Sequence, residues 1–280
     1  MKILSKNILC DMPGSKVVEI EVSAPEIAAK ALPGQFVVLM LSEKGERIPL
    51  TIVSKNASKG SIKLIFQEAG LTTKLLGNIS VGDPLYALVG PLGHNTEIKN
   101  YGKIILIGGG VGIAEIYPVA KAFKEAGNNV TTILGSRTKD LLILEKELKT
   151  LSDEFHVVTD DGSYGKKGFV TDVLKEVFTN NPRLTTSNLV YAVGPIPMMK
   201  AVSQITKERG IKTIVSLNAL MVDATGMCGC CRVTVGGKVK FSCVDGPEFE
   251  ASLVDWDELI KRNRIYADKE KHICRLNKIS

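Results

Sequence analysis

The 280-residue sequence predicts an α/β plus all-β protein: an N-terminal antiparallel β-barrel, a doubly wound parallel sheet, and a small C-terminal hairpin subdomain. Three observations carry this prediction. Before about residue 98, short β-branched runs (SKVVEIEVSA, GQFVVLML, IPLTIVS, GSIKLIFQEA, DPLYALVG) are bounded by Gly, Pro or charged turns, as in a barrel or sandwich. From residue 101 the rhythm becomes strand, glycine loop and helix, which argues for an open parallel sheet with helices on both faces. Between 222 and 243, VDATGMCGCCRVTVGGKVKFSC gathers four of the six cysteines around a glycine-turned hairpin. The corresponding boundaries are 1–98, 99–221 and 222–280.

Within the second region, KIILIGGGVGIAEIYPVAKAF runs a buried strand into glycines and then into an amphipathic helix. Gly108, Gly109, Gly110 and Gly112 suit a turn whose backbone N–H groups approach a pyrophosphate at a helix N-terminus, although tight strand-to-helix turns also occur without ligands. The spacing is GGGxG, unlike the GxGxxG fingerprint of a simple Rossmann dehydrogenase. A second strand, NLVYAVG, ends on Gly194 and Pro195 before the helix that carries Met198, so one ligand at the carboxyl ends of the strands would touch both loops. NNVTTILGS and FHVVTD read as further strands; LLILEKELKTL and VTDVLKEVF read as helices.

Composition excludes several classes. Hydrophobic residues make up 44% and charged residues 24% of the chain, the balance of a globular protein with a sizeable core. The longest apolar runs, such as 104–107, are far shorter than the roughly 20 residues of a membrane span, and no secretory h-region is visible, so a cytoplasmic protein without a membrane partner is expected. The net charge of +6 comes from lysines interleaved with acids, with no arginine-aromatic platform, which argues against nucleic acid. Six cysteines in a long chain of this kind read as ligands rather than disulfides, with Cys10 and Cys274 as ordinary thiols. The spacing Asp223-x4-Cys228-x2-Cys231-x11-Cys243 suits an iron-sulfur cluster or zinc; the absence of a second Cys-x2-Cys pair and of a nearby histidine weighs against zinc. Cys230 could replace Cys231 or Asp223 as a ligand, but the spacing leaves it as a packing residue behind the site.

In order along the chain, RIPLTIVS (47–54), EAGLTTKLL (68–76), GGGVG (108–112), TDDGSYGKKG (159–168), GPIPMM (194–199) and the cysteine stretch resemble the ferredoxin-NADP reductase superfamily. Within it, they resemble the branch that holds the electron-transfer subunits of dihydroorotate dehydrogenase and of NADH-dependent reduced ferredoxin:NADP oxidoreductase, the latter also described as sulfide dehydrogenase subunits. The resemblance implies FAD held by Arg47, Pro49, Leu50 and Thr51, with Gly70, Thr72 and Thr73 at its pyrophosphate. It implies NAD(H), or NADP(H) should Arg137 accept a 2′-phosphate, on the glycine loop with Gly194, Pro195 and Met198 near the nicotinamide and Asp160 and Asp161 near the ribose. It further implies a [2Fe-2S] cluster on Asp223, Cys228, Cys231 and Cys243, the aspartate standing where dihydroorotate relatives have a fourth cysteine. Many relatives carry cysteine where this chain has Val193. The implied activity is electron transfer between NAD(H), FAD and the cluster. The implied partner is a larger flavin and [4Fe-4S] subunit that reaches ferredoxin in an electron-bifurcating heterodimer. No catalytic side chain is expected, since the cofactors carry the reaction, and the tail VDWDELIKRNRIY (254–266) is the expected partner contact. The alternatives are an electron-transfer subunit serving dihydroorotate oxidation, a sulfide dehydrogenase subunit, and a zinc-stabilised nucleotide-binding module.

Overall fold

The computed structural model describes residues 1–181 and 188–276. In the first third run β1 (Ile3–Met12), β2 (Ser15–Ser23), α1 (Pro25–Lys30), β3 (Phe36–Met40), β4 (Ile48–Asn56), β5 (Ser61–Gln67), α2 (Leu71–Asn78) and β6 (Ala87–Leu92). The strands form one antiparallel sheet in the order β1-β2-β5-β4-β3-β6. Alternate residues serve two cores. Val18, Ile20, Val22, Leu64 and Phe66 fill the sheet's own interior with Ile27 and Ala28 of α1. Val17, Val53 and Ile65 turn the other way and pack on the second sheet's layer. Burial on both faces explains why these strands read as nearly continuous apolar runs. Strand β1 escaped the sequence reading because it lies at the edge and leaves Ile8 and Leu9 exposed, which erases the alternation.

The second sheet is built from β7 (Lys103–Gly109), α3 (Ile113–Glu125), β8 (Asn129–Ser136), α4 (Glu145–Leu151), β9 (Glu154–Thr159), β10 (Lys166–Lys167), α5 (Val170–Asn180), β11 (Leu189–Val193), α6 (Ile196–Glu208) and β12 (Lys212–Ser216). There follow β13 (Arg232–Val235), β14 (Lys238–Phe241), β15 (Glu248–Glu250), α7 (Trp256–Arg262) and α8 (Ala267–Leu276). The order β10-β9-β8-β7-β11-β12-β15 puts β7 beside β11, so the chain winds outward in both directions from that pair. The crevice above their carboxyl ends is where an open α/β sheet binds ligands. One edge departs from the all-parallel prediction: β15 pairs antiparallel with β12. Three residues are too few to show a period, so this strand is invisible until the hairpin returns the chain to the sheet.

The tail also differs from expectation. Val254, Trp256 and Leu259 are buried in the core shared with α6 and β12, so the apolar residues of VDWDELIKRNRIY are not a free docking face. Ile265 and Tyr266 remain exposed. Residues 277–280 and the side chain of Cys274 lie outside the described part. Among the described residues, no helix is long and apolar enough to cross a membrane.

Candidate functional site

A cleft of about 1120 Å³ separates the antiparallel sheet from the carboxyl ends of β7 and β11. Pro49, Leu50 and Thr51 of β4 and Thr73 of α2 form one wall; Gly109, Gly110 and Gly112 form the floor. Gly194, Pro195 and Met198 close the side above β11, and Arg137 and Asp160 stand at the ends of β8 and β9. Eleven of the sixteen residues predicted to hold cofactors therefore line one cavity, although they are spread from position 49 to 198 in sequence.

The glycine floor has a steric cause. A Cβ on Gly112 would stand 2.8 Å from the Val193 carbonyl oxygen, so only glycine lets the start of α3 lie against the end of β11. Gly110 adopts φ +56° and faces open space, which leaves its backbone bare to the cleft. Gly108 is buried, and a Cβ there would press on Ile113 and Ile116, so it serves helix packing rather than ligand contact.

The other five predicted residues, Arg47, Gly70, Thr72, Gly108 and Asp161, are not among those lining the cleft. Arg47 is exposed and makes no ion pair among the described residues. The Thr72 hydroxyl donates to Glu46. Thr73 caps α2, its hydroxyl accepting from the N–H groups of Ala69 and Gly70 at 3.0 Å each. Asp161 accepts from the N–H and hydroxyl of Ser163 at 2.9 and 2.7 Å, closing an Asx-turn.

The thiols gather through the hairpin. Gly236 and Gly237, both at positive φ, make the two-residue turn that joins β13 to β14, with Val235 opposite Lys238 and Arg232 opposite Phe241. This register sets Cys231 and Cys243 just beyond the open end, where the Ser242 N–H donates to the Cys231 carbonyl and the two buried sulfurs lie 3.2 Å apart. No disulfide joins the described cysteines. Cys228 and Cys230 sit on the preceding loop, which turns through positive φ at Ala224, Gly226 and Gly229 and is held to α7 by the Arg262 guanidinium donating to the Cys230 carbonyl. The Cys230 N–H beside Cys228 holds that thiol below its ordinary range, while burial pushes the Cys243 thiol up to about 12.

The predicted ligands thus meet only in part. Cys231 pairs with Cys243, Cys228 neighbours Cys230 instead, and the Asp223 carboxylate accepts from Thr225. Among the described residues, no group of three or more His, Cys, Asp or Glu side chains is assembled to hold a metal ion. The donor chemistry still fits an iron-sulfur centre, because two buried thiols in contact without a disulfide bring two soft sulfur donors to one point, and the loop brings further sulfur alongside.

One group escaped the sequence reading altogether. Glu115, on the first turn of α3, reads in sequence as a solvated helix-start acid, yet its carboxylate lines the cleft and accepts from the Thr51 hydroxyl at 3.2 Å. The wholly buried Tyr191 places its hydroxyl 3.4 Å from Glu115 and 2.7 Å from Glu248, and the Thr96 hydroxyl donates to Glu248 at 2.5 Å. Burial pushes Glu248 up to about 7 from the ordinary 4.5. A raised carboxyl favours the protonated folded state, so its contribution is complete below about pH 4.5 and is lost as pH rises through 7. The shift corresponds to roughly 3 kcal/mol at most, and less in proportion to the water that reaches the carboxyl. Glu248→Gln is therefore expected to flatten the fall in urea midpoint between pH 5 and pH 8; a slope unchanged from wild type would refute the assignment.

Two sheets meeting across a cleft at a glycine loop, with a thiol-bearing hairpin beside them, define an NAD-linked oxidoreductase of ferredoxin-reductase-like fold, and comparison with known proteins agrees. The oxidoreductase NAD-binding domain matches residues 106–204, and the iron-sulfur cluster binding domain of dihydroorotate dehydrogenase B matches residues 218–255. The chain is 51% identical over 255 residues to the dihydroorotate dehydrogenase B (NAD(+)) electron transfer subunit homolog of Thermotoga maritima, covering 91% of this chain and 89% of that one. It is 32% identical to the dihydroorotate dehydrogenase B (NAD(+)) electron transfer subunit of Geobacillus thermodenitrificans, covering 91% and 97%. The chain belongs to this family of electron-transfer subunits. Among solved structures, a chain of the NADH-dependent reduced ferredoxin-NADP oxidoreductase, described for flavin-based electron bifurcation, superposes with a TM-score of 0.90 at 47% identity, covering 100% of this chain and 98% of that one. Ferredoxin-NADP+ reductase from Plasmodium falciparum shares the fold at a TM-score of 0.60 and 19% identity, over 74% and 88% of the two chains.

Proposed function

We propose that this chain passes electrons between NAD(H), FAD and a [2Fe-2S] cluster to a larger flavin and [4Fe-4S] subunit, as half of an electron-bifurcating NADH-dependent ferredoxin:NADP+ oxidoreductase heterodimer. The cleft between the two sheets supports the reading best, because the residues expected at the flavin and those expected at the nicotinamide nucleotide line it together. When bound, the flavin accepts hydride and releases electrons singly to the cluster. In this reading residues 1–98 are the barrel that carries the flavin on its cleft side, 99–221 bind the nucleotide, and 222–280 carry the cluster and tail.

The residues divide the work. Pro49, Leu50 and Thr51 line the cleft on the isoalloxazine side, and Arg47, which makes no ion pair among the described residues, is available to fork onto the diphosphate beside Gly70 with the amides of Thr72 and Thr73. Gly109, Gly110 and Gly112 let the nucleotide diphosphate approach the α3 N-terminus, with Gly108 packing the helix behind them. Pro195 and Met198 shape the nicotinamide end, and Asp160 with its neighbour Asp161 faces the ribose. Asp223, Cys228, Cys231 and Cys243 would hold the cluster, with Cys230 behind them.

Anaerobic purification with visible and EPR spectra tests this directly: flavin and a [2Fe-2S] signal are expected together, whereas colourless zinc protein would sink the reading. Asp223→Cys is expected to keep the cluster with a shifted potential, since a thiolate is softer and more covalent than a carboxylate. The names of the homologues favour a second reading, electron transfer from dihydroorotate oxidation. Dihydroorotate-dependent NAD reduction by the copurified complex would select it.

A further inference from the structure

Glu115, Tyr191 and Glu248 are absorbed by none of the roles above, yet they bridge two cavities. Thr51, Glu115 and Ser216 line the main cleft. Thr96, Tyr191 and Glu248 line a separate pocket of about 200 Å³. Between them the hydrogen bonds are continuous. The Thr51 hydroxyl meets one Glu115 oxygen, Oε2, at 3.2 Å; the other, Oε1, meets the Tyr191 hydroxyl at 3.4 Å; and Tyr191 meets Glu248 at 2.7 Å. We propose that Thr51, Glu115, Tyr191 and Glu248 form a proton relay that connects the flavin end of the cleft with the small pocket. The relay rests on the placement of the flavin against Thr51.

The stoichiometry of the proposed reaction gives such a path a use. A hydride brings two electrons and one proton into the cleft, whereas the cluster removes electrons only, one at a time. One proton per hydride must therefore leave the flavin end of the cleft. In the relay that proton goes to the Thr51 oxygen, and the Thr51 hydroxyl proton passes to Glu115 Oε2. The proton on Glu115 Oε1 passes to the Tyr191 oxygen, the Tyr191 hydroxyl proton passes to Glu248, and Glu248 releases one to water. Every group ends with as many protons as it began, and none is oxidised or reduced. Reverse flow takes a proton inward along the same atoms.

The arrangement holds the proton such a path needs. A tyrosine has one hydroxyl proton and cannot donate to two carboxylates at once. Neither Glu115 nor Glu248 forms an ion pair with a lysine or arginine among the described residues. Two such carboxyls facing one hydroxyl share at least one further proton, and burial raises both. The Ser216 hydroxyl also faces Glu115. Around the pocket the titratable groups are His94, Glu97, Tyr101, Asp245 and Glu250, an acidic outlet; Arg137 and Asp160 share the main cleft with Glu115. A purely structural tie would need only one hydrogen bond between the sheets, and would leave no reason for a carboxyl open to each cavity.

The test uses the full chain as purified with its flavin. Infrared spectra are expected to show the carbonyl stretch of a protonated carboxyl, absent from the Glu115→Gln/Glu248→Gln double variant. After transfer to D2O that band is expected to exchange at least about tenfold more slowly in Tyr191→Phe, and in Glu248→Gln, than in wild type. Reoxidation of the flavin by a one-electron dye is expected to slow by a similar factor in both, with the Kd for NADH unchanged. Wild-type exchange and reoxidation rates in Tyr191→Phe and Glu248→Gln, or no protonated-carboxyl band in wild type, overturn the relay while leaving the functional reading intact. Purified protein without flavin overturns that reading, and the relay with it.

Discussion

Cys231→Ala protein purified without oxygen is expected to lose the cluster's visible and EPR signals completely, while Cys230→Ala keeps them. Cys231 and Cys243 flank the open end of a hairpin whose register is set by a two-residue glycine turn, so their sulfurs are delivered to one point by backbone geometry. Cys230 is anchored through its carbonyl to Arg262, which fixes the loop whatever its side chain. Removing Cys231 takes away one of the two buried sulfurs that face each other; removing Cys230 takes a half-buried thiol whose loop stays docked. Iron content per chain checks the result independently of the spectra. A full-strength signal in Cys231→Ala together with its loss in Cys230→Ala would reverse the ligand assignment.

The second large effect is expected from Gly112→Ala. The added methyl would meet the Val193 carbonyl oxygen at 2.8 Å, its carbon at 2.9 Å and the Gly194 Cα at 3.0 Å. All three are backbone atoms, so no side chain can rotate aside; α3 must lift from β11, at a cost of about 1–3 kcal/mol. Both loops of the nucleotide floor move apart together, and NADH binding is expected to weaken at least about tenfold, the equivalent of about 1.4 kcal/mol. Gly110→Ala separates sterics from strain: its Cβ meets nothing, and only the left-handed φ of +56° is penalised, by about 1–2 kcal/mol. Calorimetric titration and thermal melts of the two variants measure binding and stability side by side. NADH affinity in Gly112→Ala equal to wild type would remove the glycine floor from the site.

Much of this was legible because the informative features are local. The strand-loop-helix at Lys103–Glu125 announces itself by an apolar run, glycines and a 3.6-residue period within about twenty positions. The β13–β14 hairpin is equally local, with GG between two alternating strands. The segments that were not legible are short or lie at an edge. Strand β12 has five residues and β15 three, too few for a period to emerge, and β1 exposes apolar side chains that an inner strand would bury. In α2, the residues read as a phosphate turn form a helix, because the Thr73 hydroxyl satisfies the amides that would otherwise open the turn.

The amino-acid order by itself determined the two kinds of sheet, the glycine floor and the thiol-bearing hairpin, since each depends on side-chain periods and turn residues within a few positions of one another. Only the tertiary structure decided that Thr51, Glu115, Tyr191 and Glu248 meet, because they come from β4, α3, β11 and β15 and no period links them. It likewise decided that Cys231 and Cys243 touch while Asp223 turns to Thr225. Contacts of that kind are set by how whole layers pack, where burial of Val17, Val53 and Ile65 against α3 outweighs any local preference.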